Sequence, residues 1–249
     1  MPTVGELTLL LRLSAPLQSW GSGSKSTDRD TDREPTFSGV VGLVANALGR
    51  IRSDAITDLA ELWFATRVDV QGRRMRDFYT AGTTTGVAQR TETTALGDPT
   101  RSFRDIISQK DGLPTGVVGV KHYLAGASFT AVLAGDADLI IRCGEALQRP
   151  ARPLYLGRRS CPNAAPIFGG LLAEDPEQVL RTAPALPGSR VDERMRLSLP
   201  SGPADHLAQI RFDHPLDFSD IHRRYVPRYV RTEWVASADL PQRTLQEQR

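Results

Sequence analysis

The sequence predicts an α+β fold of the ferredoxin-like kind, and three observations lead there. Leu7, Leu9, Leu11 and Leu13 alternate with other residues near the N-terminus, which marks a strand with one clearly buried face. Val40, Val41, Val44, Ala47 and Leu48 then recur at helical spacing. Two more strands, "FATRVDV" and "ASFTAVLA", precede a second helix in "DLIIRCGEALQ". The order strand, helix, strand, strand, helix is the opening of a split βαβ arrangement.

Each element carries its own signals. After the first strand comes "GSGSKSTDRDTDREPT", which is too charged and glycine-rich to pack. In "SGVVGLVANALG", Ser38 is the expected N-cap and Gly49 the stop. A short helix from Asp54 places Ile56, Leu59, Ala60 and Trp63 on one face. The helix of "DLIIRCGEALQ" shows Leu139, Ile140, Cys143, Ala146 and Leu147 on its apolar face and stops before Pro150. "DPEQVL" opens a further helix, in which Asp175 caps, Pro176 suits the first turn and Gln178 completes a capping-box pattern. From Leu207 to Val235 the chain is strand-rich. Residues 175–249 therefore form a small C-terminal part expected to pack on the core, and 1–249 reads as a single unit.

An outsized insertion, roughly Asp77 to Val120, separates the second and third strands. Threonine, glycine and scattered arginine dominate it. A weakly apolar segment of that length inside a compact domain is either disordered or a protruding functional arm.

Composition narrows the function classes. The 31 Lys+Arg against 29 Asp+Glu leave a net charge of +2, so an anion site must come from local clustering. Two cysteines, Cys143 and Cys161, make no disulfide framework and point to a reduced, cytoplasmic compartment. There is no apolar run long enough to span a membrane and no basic leader, so no membrane partner is expected. "GSGSKS" lacks the glycines of a phosphate loop, having Ser19 and Ser24 in their places. The four histidines have no short metal spacing, and neither metal nor cofactor is expected. A nucleophile elbow and an RNP-type aromatic strand are both missing.

Polyanion chemistry survives in pieces. The turn "LYLGRRSCP" sets Arg158 and Arg159 behind Gly157 and Tyr155, and no acid occurs between Arg149 and Ala173. Glycine permits close backbone approach and paired arginines suit phosphates. The helix start at Ser38 and Gly39 is a second candidate anion site. "IHRRYVPRYVR" is a third piece, where Tyr225 or Tyr229 could stack bases between arginines. The arm, with Arg90, Arg101, Arg104 and Lys110, is a fourth.

"LRLSAPLQSWG", "PTFSGVVGLVANALG", "GASFTAVL", "LYLGRRSCP" and "PIFGG" occur in that order over most of the first 170 residues, and together they resemble the CasD family. That family supplies the fifth Cas protein of type I-E CRISPR systems. The resemblance implies a RAMP-type, RRM-like ferredoxin fold with a protruding thumb, here residues 77–120. It implies a non-catalytic subunit of Cascade that caps the 5′ tag of the CRISPR RNA. Its partners would be the backbone subunit CasC, the large subunit CasA and, indirectly, target DNA.

Carried onto this chain, the implied RNA contacts are Gln18, Ser19 and Trp20 after the first strand, and Ser38 and Gly39 at the first helix. Arg101 and Arg104 fall in the arm, Lys121 and His122 after it, and Tyr155, Gly157, Arg158 and Arg159 in the glycine-led turn. The middle of the acidic run, with Asp28, Asp30, Asp32 and Glu34, is excluded as a poor phosphate binder. Related type I-C proteins cut precursor RNA with Tyr, Lys and His, which makes a metal-independent endoribonuclease through Lys121 and His122 the alternative. Adjacent residues on a strand point to opposite faces, and that argues against it.

Overall fold

The computed structural model describes residues 6–21, 28–81, 108–110, 113–115, 117–189, 194–219 and 223–241. In chain order its first strands are β1 (Glu6–Ser14), β2 (Leu17–Gln18), β3 (Asp28–Arg29), β4 (Trp63–Val70) and β5 (Arg73–Ala81). Next come β6 (Ser108–Lys110), β7 (Leu113–Thr115), β8 (Val117–Ala125), β9 (Ser128–Asp136) and β10 (Phe168–Leu172). The last are β11 (Arg194–Ser201), β12 (Gln209–Asp217) and β13 (Arg224–Ala236). The helices are α1 (Phe37–Ala47), α2 (Thr57–Ala60), α3 (Ala137–Gln148) and α4 (Pro176–Thr182).

Seven strands form one antiparallel sheet in the order β10-β1-β9-β4-β11-β13-β12. Leu9, Leu11 and Leu13 project from β1 onto α1 and α3, where Val40, Val44, Ile140 and Cys143 meet them in the main core. The opposite face of β1 is buried as well. Leu10 packs with Val132, Leu197, Val179 and Leu180 in a second core closed by α4. The alternation therefore marks the strand but understates its burial, because a helix far along the chain covers the second face. The C-terminal strands β11, β12 and β13 extend this sheet beyond β4.

Local signals hold at α3 and α4. Asp136 accepts from Leu139 N at 3.0 Å. Asp175 accepts from Glu177 N and Gln178 N, with Pro176 opening the helix. Two expectations are corrected. The N-cap of α1 is Thr36, whose hydroxyl accepts from Gly39 N at 3.2 Å, and Ser38 lies inside the first turn. Thr36 has the extended backbone of an N-cap and its hydroxyl stands three residues before the Gly39 amide, so the cap falls two residues early. The short second helix ends at Ala60, and Trp63 begins β4 by pairing with Ala134. Sheet pairing with β9 wins over the helical periodicity there.

A second sheet gathers around β8. Its order is β2-β8-β3, and β5 lies along β8 from Arg73 opposite Ala125 to Ala81 opposite Val117. The long insertion thus leaves and re-enters the fold through an antiparallel pair of nine-residue strands. Its interior from 82 to 107, including Arg90, Arg101 and Arg104, lies outside the described residues.

The acidic run also departs from expectation, because its second half packs. Thr31 and Glu34 are buried, and Glu34 is held by Arg196, Arg211 and both oxygens' contacts with Ser198 Oγ. Asp28 pairs with His122 at 3.2 Å and Asp30 with Arg74. Asp30 and Glu34 are matched by arginines far away in the chain, and so the run packs despite its charge.

One buried cation joins the layers. Arg67, in mid-β4, has a fully buried side chain and pairs with Asp69 at 2.8 Å. Its other donors reach the carbonyls of Leu180, Ala183 and Pro184. These are carbonyls at the end of α4, so Arg67 caps a helix from the neighbouring sheet. Arg67→Met should lower unfolding free energy by about 3–5 kcal/mol, since Asp69 would keep its charge without its partner. Urea titration checks this; a loss near zero would show the network to be dispensable.

A second expectation concerns pH. His214 lies on β12 beside the Phe37 ring, 5.4 Å between centroids. Burial first, and then the Arg228 charge, hold its pKa below the usual 6.5. The unfolded chain therefore binds the proton more readily. The stabilisation is complete above about pH 6.5 and is lost as pH falls toward the lowered folded value. Urea midpoints between pH 5 and 8 should fall on the acid side, and His214→Phe should flatten that slope.

Candidate nucleic-acid interface

The glycine-led turn is clamped onto the end of the first strand region by backbone alone. Gly157 has a φ of +91°, a conformation that favours glycine. A Cβ placed there would stand 1.6 Å from the Ser19 carbonyl oxygen. Ser19 N donates to Leu156 O at 3.1 Å, and Cys161 N closes the turn on Arg158 O at 2.8 Å. Burial pushes the Cys161 thiol pKa up, and burial takes that of Cys143 to about 11, so neither is a thiolate at neutral pH.

The two arginines differ. Arg158 donates to His122 O at 3.1 Å and to Arg29 O at 2.9 Å, and its guanidinium lies 4.9 Å from the Tyr123 ring centre. It is a strut between the turn, β8 and β3. Arg159 is exposed. Arg152, in the same acid-free run, is likewise committed, to Gly49 O and Arg50 O beyond α1. Two of the four arginines in this acid-free run are thus taken up by carbonyls rather than carboxylates.

Beside the turn opens a cleft of about 610 Å³. Ser19, Trp20 and Gly21 line one side, Gly157 and Arg158 another, and Thr36, Ser38 and Gly39 a third. Arg29, Asp30, Arg52, Arg223 and Tyr225 complete it. Four arginines face one acid across this cleft. That balance favours an anion, though the whole chain is nearly neutral.

Six of the residues expected from sequence thus converge: Ser19, Trp20, Ser38, Gly39, Gly157 and Arg158. Several have structural duties. Gln18 is fully buried; its amide donates to Leu13 O and Ala127 O, and its oxygen accepts from Trp20 Nε1. Trp20 is only 1% exposed and lies against Gly39, where a Cβ would meet its ring at 2.8 Å. The start of α1 also differs from an open anion site. Phe37 N donates to Asp213 at 2.8 Å and Gly39 N to Thr36, so a carboxylate of the chain already occupies the helix end.

Tyr155 is half-buried and bridges to Pro162, outside the cleft. Lys121 and His122 do not converge on one point. Lys121 lies 4.3 Å from the Tyr79 ring centre, whereas His122 is buried between Asp28 and Arg74. Arg223 and Tyr225 come from the basic, aromatic C-terminal run, a legible signal that the site assignment left out. Arg29 sat in the excluded acidic run, and nothing in the sequence marks Arg52. Gly157→Ala should destabilise the protein by about 2 kcal/mol or more and loosen the turn, with Arg158→Ala milder. Thermal unfolding checks this, and an unchanged midpoint for Gly157→Ala would contradict the clamp.

Comparison with known proteins gives these features a family. A model described as "CRISPR-associated protein (Cas_Cas5)" matches residues 8–231. The chain is 35% identical over 187 residues to the "CRISPR system Cascade subunit CasD" of Escherichia coli (strain K12), covering 69% of this chain and 75% of that protein. A solved structure described as "Crystal structure of Cas protein" superposes with a TM-score of 0.70 at 30% identity, covering 95% of this chain and 98% of the other. A chain of a "CRISPR RNA-guided surveillance complex" does so equally, with a TM-score of 0.70, 30% identity, and 97% and 96% coverage. The family match runs from β1 to β13 and so takes in the clamp and every wall of the cleft: this chain belongs to the Cas5 family of CRISPR-associated proteins.

Proposed function

We propose that this chain is a non-catalytic subunit of a type I-E CRISPR surveillance complex, Cascade, that binds and caps the 5′ tag of the CRISPR RNA in the cleft beside Gly157. The observation that carries this reading is the clamp itself. It builds a rigid, cationic cleft whose polar lining mixes arginines, hydroxyls and close-approach glycines. Such a lining suits a folded-back single strand, held by phosphate contacts. The relationship to CasD and to a surveillance-complex chain supports the assembly context.

In this reading the strand order β10-β1-β9-β4 is a ferredoxin-like, RAMP-type core, and β5 with β8 is the stem of a thumb comprising residues 77–120. The thumb would meet the backbone subunit CasC, and the large subunit CasA would dock beside the tag, so that target DNA is engaged indirectly. The compartment would be the cytoplasm. Precursor cleavage through Lys121 and His122 is disfavoured, because one cation rests on Tyr79 and the imidazole is sequestered by Asp28 and Arg74.

The test uses the exposed arginines rather than the strut. Arg29→Ala with Arg223→Ala, both on the cleft lining, should weaken RNA binding at all sequences alike. It should flatten the dependence of log affinity on log salt by roughly 0.7 per lost contact. Labelled precursor repeat RNA should remain intact with the purified chain. An unchanged salt slope in the folded variant would place these arginines off the RNA path, and site-specific cleavage abolished by His122→Ala would favour the nuclease instead.

A further inference from the structure

We infer that Tyr225 is a base-stacking contact for one unpaired nucleotide in this cleft, so that the C-terminal hairpin holds a base while the turn holds backbone. This rests on the RNA reading above and adds a residue and a chemistry to it. The run "IHRRYVPRYVR" offers two tyrosines and four arginines, and the fold sorts them. Arg228 is consumed by Asp213 at 2.6 Å, and Arg231 pairs with Glu233 at 2.5 Å. Tyr229 stands opposite Ile210 and away from the cleft lining. Arg223 and Tyr225 are the members of the run that reach the cleft.

The ring is placed for stacking. Tyr225 is half-buried and sits in β13 directly across from the buried Pro215 of β12. A strand position, paired on β12, holds the residue on a regular element rather than on a loop. Two aromatic side chains line the cleft, and the other, Trp20, is sealed beneath Gly39 with 1% exposure. Tyr225 is therefore the aromatic surface that the cleft offers to a base. The remaining lining is cationic, hydroxyl-bearing or glycine, apart from Asp30, and suits phosphate and sugar. Stacking on one ring tolerates any base, so this contact selects a nucleotide with a base over bare backbone, not one sequence over another.

The experiment compares two ligands on the full chain: a labelled eight-nucleotide single-stranded RNA, and the same octamer with abasic sugars throughout. Tyr225→Leu keeps an apolar side chain at this strand position and should weaken binding of the base-bearing RNA about tenfold. It should change abasic binding less than about twofold, and Tyr225→Phe should bind both as the wild type does. Equal losses on both ligands would mean that Tyr225 serves the backbone or the fold, and no loss on either would remove it from the site; both results overturn the inference and leave the RNA reading standing. A wild-type chain that binds neither octamer would sink the RNA reading itself and this inference with it.

Discussion

A single main-chain contact sets the geometry of the cleft. Gly157 comes so close to the Ser19 carbonyl that no side chain fits between them. That approach fixes the turn on the segment following β1. The turn then presents Arg158, whose guanidinium spans from the carbonyl of His122 to that of Arg29. Trp20, one residue on, fills the space that Gly39 leaves open, which locates α1. Strand end, turn, helix start and second sheet are thus positioned by one chain of contacts, and the cleft is the space left between them.

Some cations of this protein are bound into its main chain. Arg67, Arg152 and Arg158 donate to backbone carbonyls. Their five rigid donors serve several acceptors at once, which lysine could not do in the same geometry. Arg29 and Arg159 instead face solvent. A cluster of arginines in sequence therefore overstates the charge available to a ligand. The acidic run shows the converse: Asp30 and Glu34 are matched by Arg74, Arg196 and Arg211, so the segment is nearer neutral in place than in sequence.

The legible parts of the fold were those governed by local rules. Alternation found β1 and β4, helical spacing found α3 and capping chemistry found α4, because those signals act within a few residues. Thr36 and Ser38 are both good cap residues, and Thr36 is the one whose hydroxyl reaches the Gly39 amide. β11, with buried Met195, Leu197 and Leu199, lies before the strand-rich tail read from the sequence, and its place between β4 and β13 is set by long-range pairing. For the site, the glycine-led turn was visible as a pattern. The inward role of Arg158 was not, since its acceptors are carbonyls, which every residue carries. Arg52 and Arg29 reach the cleft through tertiary placement alone.

The strand β8 belongs to two structures at once. Along one edge it pairs with β5, and along the other with β2 and β3. The carbonyl of His122, midway along it, takes hydrogen bonds from both Ser19 and Arg158. The strand at the base of the insertion therefore also buttresses two residues of the cleft lining, and a load carried along β5 and a ligand seated beside Gly157 would bear on one shared strut of main chain.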